Sequence, residues 1–377
     1  YKTTAQEIWK QVNGNIDYLV SSVGTSGTIM GVGRALKEND PRIKIVEAHP
    51  VKGHYIQGLK NMEEAIVPSI YDPSLIDETV MVSTEQAFDT ARRQVAGLLN
   101  CDPEEVIFTS GGTEANNWAI LGTAHALRGR GRHIVTSRIE HPAVLNVCAF
   151  LEKDGYAVTY LPVDSQGMLD IADVASALRP DTVLISIMHA NNEVGTIQPM
   201  TEIAALARTR GIRVHTDAAQ SAGKIPVDVA AMGVDLLSLA GHKLYTPKGV
   251  GALWIRKGVM LETFMHGAGQ EMGRRAGTEN ILEIVGLGKA CEIATRNLEK
   301  NSGHMQAMRD RLQAGSLVRG PLRRQEAGPA QLHRAPALAD PLRGRASQEV
   351  HAAEAQGGID RVRATADRLA DVRADDV

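Results

Sequence analysis

Three segments of the sequence each place a chemically useful residue at the end of an apolar, strand-like run. The first is TSGGTEANN at residues 109–117, which follows such a run and opens a helix-like stretch. Its glycines would let the backbone approach an anion, and the free N–H groups at the helix start, with the Thr113 hydroxyl, would hold a phosphate. A purely structural glycine turn is the more frequent alternative for a single segment of this kind.

The other two segments supply an acid and an amine. In VHTDAAQS, residues 214–221, Asp217 ends a strand and could pair with a protonated ring nitrogen, although a helix N-cap is the more common role. In LAGHKLYTPKGVG, residues 239–251, Lys243 follows His242 at another strand end. A lysine amine in a partly apolar site beside a cation can form an imine with an aldehyde cofactor, whereas a surface lysine is the alternative. Together the three segments are hard to explain by packing.

The elements that would position these residues alternate along the chain. Strand-like runs are predicted at residues 17–23, 43–48, 106–109, 133–136, 157–161, 182–188, 213–216, 236–239 and 251–255, with helical stretches that include 4–12, 28–38, 84–99 and 286–299. Between the second run and residue 84 the prolines and glycines predict a long loop. This pattern is typical of the α/β class, with a mainly parallel sheet whose ligands bind at the carboxyl ends of strands.

Six strings, in order, resemble the cysteine desulfurases, class V aminotransferase-type enzymes that use pyridoxal phosphate (PLP), over about residues 90–315. They are FTSGGTEANN, IEHPAVLN, HANNEVGTIQP, HTDAAQSAGK, AGHKLYTPKGVGALW and GRRAGTEN. The resemblance implies the PLP fold type I, a homodimer, and conversion of L-cysteine to L-alanine with the sulfur leaving as a persulfide. A sulfur acceptor protein, in iron–sulfur cluster assembly or another pathway, is implied as well.

The same resemblance assigns roles to individual residues. Lys243 would form the Schiff base and move protons, Asp217 would pair with the ring nitrogen, and His141 would stack on the ring. The other implied contacts are Asn192 and Gln220 near the 3'-oxygen, Gly112, Thr113 and His242 at the phosphate, and Thr278 at the phosphate of the neighbouring subunit. Without the resemblance, His141 is a loop or helix-start residue before Pro142, and Asn191 with Asn192 forms a turn. Ala240 replaces a serine phosphate ligand of many members, which should weaken phosphate binding by about 1 kcal/mol.

Two parts of the desulfurase machinery have no counterpart in this sequence. The family carries a mobile catalytic cysteine and an arginine that binds the substrate carboxylate, and neither motif is found. Cys101, Cys148 and Cys291 lie outside any such loop, and Cys291 falls in a helical stretch where a buried structural thiol is expected. We therefore expect impaired desulfurase activity. The alternative is a PLP-binding remnant without catalysis.

Residues 1–93 resemble a different family, the C-terminal half of cysteine synthases of PLP fold type II. The matching strings are TTAQEIWKQ, SSVGTSGTIMGVGRALKE and VKGHYIQGLKN. The resemblance makes Gly24, Thr25, Ser26, Gly27 and Thr28 a vestigial phosphate loop. Because that family's Schiff-base lysine lies upstream of this segment, cysteine synthase chemistry is the least favoured activity.

The two resemblances meet within one helical stretch near residues 91–93, which suggests a fusion of two neighbouring genes. The predicted domains are a cysteine synthase-like fragment at 1–93, a PLP-binding large domain at 94–315 and a tail at 316–377. The tail has ten arginines, no lysine and no aromatic residue. This composition predicts no packed core apart from a short helix-like piece near 362–372. A frame-shifted reading and a natural basic tail are the two explanations.

Bulk composition narrows the remaining possibilities. The 377 residues carry a formal net charge of −3, which offers no basic face for nucleic acid. Apolar runs are far shorter than the roughly 20 residues that cross a bilayer, so a cytoplasmic protein is expected. The three separated cysteines suggest neither a disulfide framework nor a metal site. The first residue, Tyr1, looks like a cut edge rather than the start of a signal peptide.

Overall fold

The computed structural model describes residues 3–53 and 60–318. The helices of this part are α1 (Thr4–Gln11), α2 (Gly27–Asn39), α3 (Thr84–Leu99), α4 (Gly112–Ala126), α5 (Pro142–Lys153), α6 (Ile171–Ala177), α7 (Met200–Thr209), α8 (Val229–Met232), α9 (Ile281–Arg296) and α10 (Leu298–Val318). The strands are β1 (Tyr18–Ser22), β2 (Lys44–Pro50), β3 (Glu78–Val82), β4 (Val106–Thr109), β5 (His133–Ser137), β6 (Ala157–Leu161), β7 (Thr182–Ser186), β8 (Arg213–Asp217), β9 (Leu236–Ala240) and β10 (Gly251–Ile255). The predicted α/β alternation is confirmed, and none of these helices is long and apolar enough to cross a membrane.

The N-terminal part forms a small parallel sheet in the order β1-β2-β3. Helix α2 buries Ile29 and Leu36 against Ile45 of β2, which gives this part a core of its own. Strand β3 lies in the stretch that the sequence predicted as a loop, so that prediction was wrong. Four of its five residues are exposed. Its sequence therefore lacks the alternation of buried and exposed residues that predicts a strand. The strand is recognised only by its pairing with β2.

A second sheet has the strand order β4-β10-β9-β8-β7-β5-β6. Strand β10 runs antiparallel to β4 and β9, and the other neighbouring pairs are parallel. Strands β7, β9 and β10 are buried at every position, as expected when helices cover both faces of a sheet. The mainly parallel sheet is therefore confirmed, and the carboxyl ends of β8 and β9 lie side by side at one edge.

Helix α3 is continuous through the region where the two sequence resemblances meet. It begins with a capping box between Ser83 and Gln86, and Ala91 and Val95 are buried on the face that packs against α9. The contact is close, since a Cβ on Gly288 of α9 would lie 2.6 Å from the Ala91 Cα. The boundary at residues 93 and 94 thus falls inside one helix and stays a prediction. Apart from residues 316–318 at the end of α10, the predicted tail and its helix-like piece lie outside the described residues.

Candidate functional site

A cavity of about 400 Å³ opens at the carboxyl edge of the large sheet, beside the ends of β4, β8 and β9. Eight of the nine predicted cofactor residues line it: Gly112, Thr113, His141, Asn192, Asp217, Gln220, His242 and Lys243. Thr278 does not line this cavity and is exposed. The structure therefore brings together residues that are up to 131 positions apart in sequence, while their roles toward a cofactor remain predictions.

The phosphate-cradle end of the cavity is formed by the turn from β4 into α4. Gly111 has φ of 152°, a conformation that favours glycine. A Cβ on Gly112 would lie 3.0 Å from the Cβ of Ala240, so a side chain here would crowd the end of β9. The first N–H groups of the 15-residue helix α4 have no intrahelical partner and face the point where an anion would be bound.

A partly buried ion pair between Arg275 and Glu114 lies beside this cradle. Arg275 donates through Nε and Nη2 to the two carboxylate oxygens of Glu114, at 2.8 and 2.9 Å, and the Ser110 N–H donates to the same carboxylate at 2.7 Å. Burial alone would raise the pKa of Glu114, but the hydrogen bonds from Arg275 and Ser110 outweigh it and the pKa is lowered. Glu114 is thus ionised, and the positive charge of Arg275 offsets its negative charge at the edge of a site suited to anions.

Asp217 stands at the end of β8 and is only 7% exposed. Its Oδ1 accepts from the Ala219 N–H at 2.9 Å and its Oδ2 accepts from Asn116 Nδ2 at 2.7 Å. Burial raises the pKa of Asp217, and the hydrogen bonds from Ala219 and Asn116 oppose that shift. The alternative role as a helix N-cap is wrong, because no helix begins directly after Asp217.

Lys243 lies in the short 3-10 turn Gly241–Leu244 that follows β9. It is half-buried in the cavity wall and is not a freely exposed surface lysine. The turn is tight: a Cβ on Gly241 would lie 2.6 Å from Thr246 Oγ1. The ammonium of Lys224 donates to the Lys243 carbonyl at 3.4 Å, and burial together with the charge of Lys243 lowers the pKa of Lys224.

Two of the remaining lining residues, His141 and Asn192, lie in the local structures that the sequence predicted without the resemblance. His141 is the N-cap of α5, and its Nδ1 accepts from the Ala143 N–H at 3.1 Å, so the neutral ring carries its proton on Nε2. Asn191 forms the predicted turn, accepting from the Glu193 N–H at 2.9 Å, and leaves the exposed Asn192 at the cavity.

His242 completes the polar lining. Desolvation and the charges of Lys243 and Lys248 lower the pKa of His242, so its imidazole is favoured in the neutral form.

The predicted vestigial loop Gly24, Thr25, Ser26, Gly27 and Thr28 lies at the start of α2 and does not line this cavity. Ser26 adopts a left-handed conformation with φ of 62°, and its hydroxyl donates to the Thr25 carbonyl at 2.7 Å. The loop contributes no residue to the site around Lys243.

Comparison with known proteins identifies the family of this chain. The family model for "Aminotransferase class-V" matches residues 77–324, well over half of the chain. The chain belongs to this family. A second family model, "Pyridoxal-phosphate dependent enzyme", matches residues 1–103, so the two matches overlap over residues 77–103.

Two similar relatives carry the same name. The "Cysteine desulfurase IscS" of Methanosarcina thermophila is 50% identical over 262 residues, covering 68% of this chain and 65% of the relative. That of Dictyoglomus turgidum is 52% identical over 227 residues, covering 60% and 58%. The chain therefore spans roughly three fifths of the length of these curated relatives.

Solved structures agree with this assignment. A structure described as "SspA in complex with cysteine" has a TM-score of 0.54 at 46% identity, covering 55% of this chain and 61% of that one. A "NIFS-LIKE PROTEIN" has a TM-score of 0.61 at 33% identity, covering 81% and 76%. The fold is that of PLP fold type I enzymes, as predicted.

Both matched families depend on pyridoxal phosphate, and the cavity of this class V chain fits that cofactor. Asp217 is a buried carboxylate whose hydrogen-bond donors in the described structure, Asn116 and Ala219, are neutral, so a protonated pyridine would supply a positive charge beside it. The glycine turn before α4 brings the first N–H groups of this helix to the cavity and packs closely on β9, since a Cβ at Gly112 would lie 3.0 Å from the Ala240 Cβ. A volume of about 400 Å³ also lies in the range of cofactor pockets.

Sequence reasoning missed several residues that shape the site. Asn116 lies one helical turn beyond Gly112 and Thr113, so a same-face argument within α4 could have found it. Glu114 and Arg275 are 161 positions apart, and no local signal joins them. Glu140 is buried next to His141 in the sequence, and one of its carboxylate oxygens has no partner in the described part of the chain.

The cysteines lie where the sequence suggested. Cys148 is buried in α5 and Cys291 in α9, while Cys101 is half-buried just after α3. Burial raises the pKa of each thiol to about 12. The helix around Cys291 ends at Arg296 rather than running to residue 299, because Asn297 separates α9 from α10. None of the three is placed or tuned as a nucleophile.

Proposed function

We propose that this chain binds pyridoxal phosphate through Lys243 and that its site is of the cysteine desulfurase type, with L-cysteine as substrate. The observation that carries the proposal is the convergence of Lys243, Asp217 and the N-terminus of α4 on one cavity. Amine, acid and anion cradle come from three different strand ends, and packing alone gives no reason for them to meet. The names of the relatives support cysteine as the substrate.

Each residue has a distinct task in this proposal. The cofactor, when bound, supplies an electron-withdrawing ring that stabilises negative charge on the substrate carbon. Asp217 favours the protonated form of the ring nitrogen, and the α4 N–H groups with the Thr113 hydroxyl hold the phosphate. The Lys243 amine would take the proton from the substrate Cα and return one later. His141, with Nδ1 occupied by Ala143, has Nε2 available as a second proton carrier.

We further propose that sulfur transfer is impaired in this chain. The step needs a thiolate that attacks the substrate sulfur and becomes a persulfide as the Cβ–S bond of the substrate breaks. The electron pair left on the carbon skeleton then takes a proton, which gives alanine. The three thiols are shifted toward their neutral form by burial, and none lines the cavity around Lys243. A PLP-binding protein without turnover is therefore the second candidate function, favoured by these same thiols.

One experiment tests both candidates. Purified protein is mixed with PLP, and the visible absorbance of lysine-bound cofactor is recorded for the native chain, Lys243→Ala and the control Lys248→Ala. Lys248 is an exposed lysine of the same loop that does not line the cavity. We expect absorbance in the native chain and in the control, and its loss in Lys243→Ala. L-cysteine is then added and alanine and sulfide are measured.

The outcomes separate the candidates. Absorbance with little alanine or sulfide supports cofactor binding with impaired transfer. Rapid formation of both products would refute the impairment, and an unchanged spectrum in Lys243→Ala would overturn the whole assignment.

We also propose a homodimer in which Thr278 reaches the phosphate of the neighbouring subunit. Thr278 is exposed, and its segment is tied to the cradle by Arg275 and to β4 by Glu271, which accepts from the Phe108 N–H at 2.8 Å. Mixing Lys243→Ala with Thr278→Ala protein should restore cofactor affinity at one site of each mixed dimer. No recovery on mixing, with a monomer in sedimentation, would exclude this arrangement.

The gene fusion near residues 91–93 is a separate proposal. Its support is the overlap of the two family matches over residues 77–103, which contain α3. Sequencing the source DNA should find one reading frame across this junction. Two intact neighbouring genes would refute it.

A further inference from the structure

Asn116 is a buried amide directly behind the acid of the site. It lies in α4, is 2% exposed, and lines the cavity together with Asp217. Its Nδ2 donates to Asp217 Oδ2 at 2.7 Å, and the Ala219 N–H holds Oδ1 at 2.9 Å. Each carboxylate oxygen is thus fixed by one donor that the fold itself positions.

A purely structural role explains Asn116 poorly. Its Oδ1 has no hydrogen-bond partner in the described part of the chain, and an unpaired buried acceptor costs free energy. Its helical neighbours Ala115, Trp118 and Ala119 are buried and apolar, so an apolar side chain would suit the surroundings better. What the amide adds is the donor on Asp217.

The neutrality of that donor matters. A lysine or arginine at this position would form an ion pair with Asp217 and cancel the charge that a protonated ring nitrogen requires. An amide stabilises the ionised carboxylate and fixes its direction without supplying a competing cation. Asp217 then has no ion-pair partner in the described part of the chain, and a ligand with its own positive charge would supply one.

We infer that Asn116 is a positioning residue that orients the Asp217 carboxylate toward a protonated ring nitrogen. The inference rests on the proposed function, since it presumes that PLP occupies the cavity. It makes a prediction that a structural role does not, because the contribution of Asn116 must depend on the nitrogen atom of the ring.

The test compares PLP with an analogue in which carbon replaces the ring nitrogen. Affinities for both are measured by absorbance titration for the native chain, Asn116→Leu and Asn116→Ala. The matched control is Asn146→Leu, an exposed asparagine of the neighbouring helix α5. Loss of a hydrogen bond to a charged group should weaken PLP binding about tenfold or more in both Asn116 variants. Affinity for the analogue should change less than about twofold, and the control should match the native chain for both ligands.

Thermal unfolding without ligand shows which variants fold. If the larger side chain of Asn116→Leu prevents folding, Asn116→Ala supplies the same comparison. Equal loss of affinity for PLP and the analogue would overturn the inference and leave the proposed function standing. A native chain that binds neither ligand would overturn both.

Discussion

Glu140 offers a quantitative test of how the site's buried charges are arranged. It is buried, with 5% of its surface exposed, and its Oε1 accepts from the Ser137 hydroxyl at 2.6 Å and from the Met188 N–H at 3.0 Å. Burial raises the pKa of Glu140 to about 8, against the opposing effect of these two hydrogen bonds. The side chain is therefore largely protonated in the folded protein at neutral pH.

The sign of the pH effect follows from proton binding. Between the ordinary pKa of 4.5 and the folded-state pKa of about 8, the folded chain holds a proton that the unfolded chain has released. Stability from this group is therefore fully present at low pH and falls as the pH rises. Linkage gives a loss of about 3 kcal/mol in the free energy of unfolding between about pH 5 and about pH 8.

Glu140→Gln removes this titration while keeping the acceptor oxygen for Ser137 and Met188. The added amide N–H groups occupy the place of Oε2, which has no partner in the described structure, and should cost about 1–3 kcal/mol at every pH. We expect the variant to be less stable than the native chain near pH 5 and to equal or exceed it near pH 8.

Urea unfolding at several pH values measures this difference, with Glu202→Gln as the control for loss of an exposed carboxylate in α7. The control should follow the native pH dependence. Parallel stability curves for the native chain and Glu140→Gln would refute a protonated Glu140.

Three further predictions concern the cradle and the packing of α9. Arg275→Ala leaves the partly buried Glu114 carboxylate with the Ser110 N–H as its remaining donor, so we expect about 2 kcal/mol lower stability and weaker PLP binding, with much of both recovered by adding Glu114→Gln; urea unfolding and absorbance titration measure these. Ala240→Ser restores a hydroxyl near the phosphate and should tighten PLP about fivefold in the same titration, whereas unchanged affinity would place the phosphate elsewhere. Gly288→Ala should destabilise the chain because its Cβ meets the Ala91 backbone at 2.6 Å, whereas Gly286→Ala in the same helix meets nothing within 4 Å and should stabilise it by up to about 1 kcal/mol; thermal unfolding separates the two.

The sequence predicted elements well where burial is periodic or complete. Strands β4, β6 and β10 and helix α3 have the predicted bounds, because each is a short apolar run or a capped amphipathic stretch. Strand β3 was missed because its residues are mostly exposed and its pairing partner is some 32 residues earlier in the chain. A strand of that kind is specified by its neighbour and not by its own pattern.

For the site, too, the sequence predicted some residues and missed others. Strand-end residues such as Asp217 and Lys243 could be anticipated because parallel strands deliver their carboxyl ends to one edge. The side-chain pairs in and around the site join remote segments: Asn116 is 101 positions from Asp217, Arg275 is 161 from Glu114, and Arg92 is 179 from Glu271. Such pairs exist only once the chain has folded, so one sequence does not reveal them.

The cavity is lined by only some of the elements in the described part of the chain. All of its lining residues fall between Ser110 and Val250, in the first turns of α4 and at or just beyond the carboxyl ends of β4, β5, β7, β8 and β9, or just before β10. Neither the three-stranded sheet nor α9 and α10 contributes a lining residue. Under the proposed function, cofactor binding would depend on the large sheet and α4, whereas sulfur transfer would depend on a thiol that none of these lining residues supplies. The two properties can separate in one chain, and so absorbance and product formation must be measured as independent quantities.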